Sequence, residues 1–326
     1  MTRRAVASVA SQSTDPRAAL DAATIAPELH AMFDRISVLS GKPRTVSELY
    51  GGLTNKNYRV RTEHDTYVVR VSSSEGNLLS IDRANEHLNS VSAADVGVGA
   101  PVIEFLPDDR VLVLGFIPGV TFTNDDVVLP GNLKRIAQSC RRLHSAQRFA
   151  NDFDMFDIQA RYLGIVREHG FRLPVGYLEH MEKVQILRSA LTVRAEGTVP
   201  CNNDLLAGNF VDDGSQIWLI DYEYSGNNDP CFELGNIWSE CKLDLDQLEE
   251  LVTAYYGFHF RNKIARAQLQ GLMSKYGWTL WASIQDGSSE LDFDFWSWGM
   301  ERYAAAVEAF ASPHFAKLLG EVQRVD

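Results

Sequence analysis

The 326-residue chain reads as an α+β protein of two lobes, a small β-rich N-lobe followed by a larger, mainly helical C-lobe. Three observations predict this. Between about residues 50 and 115, short β-branched or alternating segments are separated by turn formers. Beyond about residue 130, apolar residues recur at helical spacing. Pro118-Gly119 breaks the chain between these two regimes. The expected division is residues 1–20 as a mobile N-terminal tail, 21–116 as the first lobe and 117–326 as the second.

Taken in order, the chain opens on Arg3-Arg4 with no continuous apolar run behind them, a poor secretory signal. Gly51-Gly52 begins a turn, Tyr58–Arg61 alternates like a strand, and Asp65 marks a second turn before the strand Thr66–Val71. A helix is expected from about Ser80 to Ala94, then a strand at Val111–Leu114 after the Pro107-Asp108-Asp109 turn. Leu133, Ile136, Ala137, Cys140 and Leu143 fall on one helical face. A short hairpin, Phe210-Val211 and Ile217–Ile220 around Asp212-Asp213-Gly214, interrupts the helices, which resume from Gln247.

Composition narrows the function. Hydrophobic residues at 45% and charged residues at 23% are those of a globular protein, and no apolar run approaches the roughly 18–20 residues of a membrane span. A net charge of -12 lacks the basic surface that nucleic acid requires, while it suits a cationic ligand. The four cysteines form no C-x-x-C pair and no zinc pattern, so they are expected as reduced thiols of a cytoplasmic protein.

The densest chemistry lies in Cys201–Phe210 and Ile217–Tyr224. The hairpin between them would bring Asp204, Asn209 and Asp221 to one end. Phosphoryl transfer needs an acceptor for the attacking hydroxyl's proton and oxygen ligands for magnesium. Asp204 can be the first, and Asn209 with Asp221 the second. Each alone is an ordinary turn residue; together, at this spacing, they point to that reaction.

The run N-N-D-L-L-A-G-N followed by I-D-Y-E-Y resembles the choline/ethanolamine kinase family, within the aminoglycoside-phosphotransferase and protein-kinase-like fold. The resemblance covers about residues 48–305 and is strongest over 200–240. It implies Asp204 as catalytic base, Asn209 and Asp221 as Mg2+ ligands, and ATP as phosphate donor. It places Thr54, Asn55 and Asn57, after Gly51-Gly52, at the phosphates. Arg70 becomes the strand cation at the phosphates, paired with Glu86 or Asp82, and Phe116 and Ile117 lie in the hinge beside the base, whose identity as adenine or guanine stays open. On the acceptor side Trp278, Trp281, Phe293, Trp298 and Tyr224 would cage a quaternary ammonium, with Glu240 adding charge attraction. Glu233 and Asn236 are expected to support the loop, and His144 to pack. The implied substrate is choline or ethanolamine, with an aminoglycoside as a further alternative. Asn202 replaces the family histidine, which implies weaker loop packing, altered activity or a catalytically impaired homologue.

Overall fold

Five antiparallel strands build the first lobe in a computed structural model of the chain, which describes residues 26–49, 52, 54–72, 78, 79 and 81–326. The tail expected over 1–20 lies outside the described residues, as do Gly51 and Leu53. A helix α1 (Pro27–Arg35) precedes β1 (Thr45–Leu49), β2 (Asn55–Arg61) and β3 (Thr66–Ser72). After α2 (Arg83–Asp95) come β4 (Val102–Leu106) and β5 (Val111–Gly115), and the sheet order is β1-β2-β3-β5-β4. Tyr67 and Val69 of β3 join Phe33, Ile36, Val60 and Val113 in one apolar core. Because side chains alternate across a strand, Arg70 then faces the opposite side of the sheet. β3 is central in the sheet, so Arg70 is no solvent-facing edge residue; it is 6% exposed. The helix expected from Ser80 begins at Arg83, because the Asp82 carboxylate caps it by accepting from the Ala84 and Asn85 amides. α1, β1 and β4 were not anticipated by pattern.

The second lobe carries two small sheets among helices. β6 (Val120–Thr121), β8 (Phe210–Asp212) and β9 (Ile217–Leu219) form one, and β7 (Val199–Cys201) pairs with β10 (Gly226–Asn228) in the other. The helices are α3 (Asn124–Val127), α4 (Asn132–His144), α5 (Met155–His169), α6 (Met181–Thr192), α7 (Pro230–Glu240), α8 (Leu245–Tyr256), α9 (Arg261–Ser288), α10 (Phe295–Ala311) and α11 (Pro313–Glu321). α9 is buried on nearly every side from Lys263 to Gln285, the mark of a central helix. α7 meets it backbone to backbone: a Cβ on Gly271 would stand 2.6 Å from the Gly235 carbonyl oxygen. Only glycine at both positions permits that approach. All four cysteines are buried and free.

Candidate active site

The loop after β7 is built to hold its backbone still. Asn203 adopts a left-handed φ of 68°, which asparagine tolerates better than most residues. Its side chain donates to the Tyr224 carbonyl at 3.0 Å and accepts from Asn228 at 2.9 Å. The buried Glu233 carboxylate accepts from the Asn202 and Asn203 amides at 2.8 and 2.7 Å, with His144 3.7 Å behind it. Glu233 thus supports the loop as expected. Asn202 is fully buried; its amide donates to the Ile220 and Asp221 carbonyls at 3.1 and 2.9 Å and accepts from the Asp204 amide at 3.1 Å. The weakened packing expected there is not observed, because every polar atom of that side chain is bonded.

The loop and hairpin bring Asp204, Asn209 and Asp221 together. The Asn209 side-chain amide donates to the Asp204 carbonyl at 2.8 Å, which leaves its oxygen as the atom available to a ligand. The Ile220 amide donates to the Asn209 carbonyl at 3.0 Å, tying Asp221 to the same end. Asp221 has a left-handed φ of 65°, sparsely populated for a non-glycine residue and common where a site demands it. Burial pushes the Asp204 carboxyl well above the usual carboxylate range, with Asp221, Glu223 and Glu240 adding to the rise and Arg302 opposing it.

Arg70 centres the nucleotide side. Its Nη1 donates to Glu86 at 2.7 Å and to Asp221 at 2.6 Å, and its Nε to Asn57 at 3.2 Å. Glu86, not the cap Asp82, is therefore its partner. Burial opposes the guanidinium charge, but Asp221, Glu86 and Glu223 outweigh it and hold Arg70 protonated. Two residues to which the sequence pattern assigned no role complete this half. Glu223 accepts from Thr54 at 2.6 Å and Asn55 at 2.8 Å, and Arg83 reaches Glu86 at 2.7 Å and Glu223 at 3.2 Å. Their signals were present: Glu223 stands two residues past Asp221, and Arg83 one helical turn before Glu86. Burial, then Asp221 and Glu86, push the Glu223 carboxyl up to about 7 against Arg83 and Arg70. A Cβ on Gly52 would lie 2.8 Å from the Asn55 carbonyl, so glycine is what lets this turn close. In the hinge the Phe116 amide already donates to the Thr66 carbonyl, whereas the Ile117 amide meets no backbone acceptor among the described residues.

The acceptor side gathers the expected aromatics. Tyr224 and Trp278 meet edge to face at 5.0 Å between centroids, and Trp281 Nε1 donates to the Tyr224 hydroxyl at 2.7 Å. Trp281 lies 5.3 Å from Trp298 and 5.7 Å from Phe295, through which Phe293 joins at 4.8 Å. Glu240, Trp298 and Asn236 also have partners within the protein. The Arg302 guanidinium covers the Trp298 ring, 3.2 Å from its centroid, and pairs with both oxygens of Glu240. Glu240 and Trp298 are thus engaged by an internal cation. Asn236 supports Trp278 rather than the loop: its oxygen accepts from Trp278 Nε1 at 3.3 Å and Ser274 at 2.7 Å. Nearby, the Lys275 ammonium sits 4.0 Å from the Trp238 ring centroid, and burial pushes its pKa down to about 8.

A β-rich lobe facing a helical one, with an Arg–Glu pair opposite an Asp/Asn/Asp set, defines a phosphotransferase of the protein-kinase-like fold that acts on an alcohol group. The family profile described as choline/ethanolamine kinase matches residues 46–255, and the chain belongs to the choline/ethanolamine kinase family. A choline/ethanolamine kinase family protein from Mesorhizobium loti is 31% identical and superposes with a TM-score of 0.80, over 91% of this chain and 98% of that one. The choline kinase LicA from Streptococcus pneumoniae is 23% identical with a TM-score of 0.75, over 88% of this chain and 99% of that one. The probable ethanolamine kinase A of Dictyostelium discoideum is 24% identical over 294 residues, which covers 79% of this chain and 83% of that relative.

Proposed function

We propose that the protein transfers the γ-phosphoryl group of ATP to the hydroxyl of choline, giving phosphocholine and ADP. The observation that carries this is a charge imbalance. On the nucleotide side three carboxylates, Asp221, Glu223 and Glu86, pair with two guanidiniums, Arg70 and Arg83, and the Asp204 carboxyl lies in the field of Asp221 and Glu223. Fully ionised, this group carries more negative than positive charge, and the raised values of Asp204 and Glu223 are the mark of carboxylates that a divalent cation would stabilise in the ionised form. The Asn209 side-chain oxygen and the Asp221 carboxylate would hold Mg2+, which when bound neutralises charge on the transferring phosphate.

The remaining roles follow from the side chains. Asp204 accepts the proton of the choline hydroxyl as the new O–P bond forms and the bond from Pγ to the leaving ADP oxygen breaks. Its raised pKa makes it a better proton acceptor than an ordinary aspartate. Arg70, held by Glu86, clamps phosphate oxygens, with Asn57, Thr54 and Asn55 as neutral donors beside Gly52. The Ile117 amide and the Phe116 carbonyl flank the base. Trp278, Trp281 and Tyr224 present aromatic surface to the trimethylammonium, and Phe293 closes the cage behind Phe295.

Relatives named for choline and for ethanolamine leave both alcohols as candidates; the tryptophans favour choline. The complete bonding of Asn202 counts against an impaired homologue. The test is ADP release with ATP and magnesium across choline, ethanolamine, thiamine and an aminoglycoside. Choline is expected to give the largest stimulation, and Asp204→Ala to remove it while far-UV circular dichroism stays unchanged. Stimulation by none of the four defeats the reading.

A further inference from the structure

We propose that Arg302 is a specificity-determining residue that keeps primary ammonium groups out of the acceptor pocket by occupying the carboxylate they would need. This rests on the choline reading above. A primary ammonium entering a desolvated pocket must hand its N–H donors to acceptors, whereas a quaternary ammonium has none to satisfy and needs only aromatic faces.

The acceptors around Trp278 and Trp281 are already engaged. Both Glu240 oxygens are taken by Arg302, whose Nε lies 3.3 Å from Oε1 and whose Nη2 bonds Oε2. The Asn236 oxygen serves Trp278 Nε1 and Ser274. The Tyr224 hydroxyl accepts from Trp281 Nε1. The one buried polar atom of this group without a partner among the described residues is Asn236 Nδ2, itself a donor. Asp204 is committed to the acceptor hydroxyl. An N–H donor therefore finds each of these acceptors already shared with a donor of the protein.

Arg302 is held in place from two sides. Its guanidinium stacks on Trp298, and its Nη1 donates to the Trp298 carbonyl one helical turn earlier at 3.3 Å. The side chain is 15% exposed and Glu240 7%, so water does not compete strongly for the pair. Lys275, on the Trp238 ring, adds a second positive charge near Glu240. Glu240 thus acts through Arg302, with both of its oxygens already shared with that guanidinium.

The experiment measures kcat/KM for ethanolamine, N-methylethanolamine, N,N-dimethylethanolamine and choline with saturating ATP. In the parent protein the values should rise at each methylation. In Arg302→Met, which keeps an unbranched stem and frees Glu240, the ethanolamine/choline ratio should rise by about tenfold or more, through a lower KM for ethanolamine. Arg302→Lys, which keeps the charge but cannot cover both oxygens, should fall between them. A parent that prefers ethanolamine overturns the inference. So does a ratio unchanged in both variants, or parallel losses for all four alcohols together with a raised KM for ATP, which would mark Arg302 as structural. Turnover of none of the four by the parent defeats the choline reading itself, a different result from turnover with the wrong order. If Arg302→Met does not fold, the parent series and Arg302→Lys still decide.

Discussion

Arg70 is a buried guanidinium and Arg302 a partly buried one, and their surroundings differ. Arg70 donates to Glu86 and Asp221 and lies in the field of Glu223, inside a group with more carboxylates than cations. Arg302 has one carboxylate, Glu240, and an indole face, with Lys275 close by. The first neighbourhood is short of positive charge and, on the proposed reading, would be completed from outside by a cation bound with the nucleotide. The second has its cation built in and is completed by apolar surface. On the proposed reading one cleft would sort two ligands by opposite means, Coulomb attraction on one side and the scarcity of free acceptors on the other.

The largest effect that would break this contrast comes from Asp221. Asp221→Asn keeps the shape but removes one negative charge from the excess, and kcat should fall on the order of 10²–10³-fold, measured at saturating ATP over a magnesium titration. A loss below tenfold would show that the charge excess does not bind the metal. Arg70→Met should next cost about 3–5 kcal/mol in urea unfolding, because Glu86 is left buried beside Asp221. A cost under about 1 kcal/mol would show that Arg83 alone satisfies Glu86.

On the acceptor side removing a cation should do the reverse. Lys275→Met is expected to raise stability at pH 7 by about 1 kcal/mol, since relief of desolvation exceeds the lost contact with Trp238. The sign can be checked with pH. The folded-state value of about 8 lies below the ordinary 10.5, so between those values the unfolded chain holds a proton that the folded chain has released. The parent's stability should rise from pH 8 to 10.5, and the variant should lack this rise. The smallest effect is expected at Glu223, whose folded value of about 7 lies above the ordinary 4.5. There the folded chain holds the extra proton, so this group's contribution falls as pH rises from 4.5 to 7. Glu223→Gln should flatten the corresponding part of the midpoint–pH curve; an identical slope in parent and variant would place Glu223 outside that titration.

The two halves were also unequally legible in the sequence. Asp204, Asn209 and Asp221 could be read together because one hairpin joins them, and local turn chemistry determines that geometry. Thr66–Val71 showed as a strand because its β-branched run suits a half-buried sheet. The Thr54 and Asn55 bonds to Glu223 span 169 and 168 positions, and no local pattern reports such a pairing. The same holds for Glu240 and Arg302, 62 positions apart. β1 and β4 escaped notice because Thr45–Leu49 and Val102–Leu106 are held by neighbouring strands more than by a strong alternation of their own.

α7 links the halves in a further way. Glu233, in its first turn, grips the amides beside Asp204, and Glu240, its last residue, anchors Arg302. Seven residues of helix separate them, about 10 Å at 1.5 Å per residue. The glycine contact with α9 prevents this helix from sliding past the one that carries Trp278 and Trp281. On the proposed reading the helix would work as a gauge block, setting the span between the end of the cleft where the hydroxyl reacts and the end where the ammonium rests. A longer amino alcohol would then meet a span held by backbone geometry.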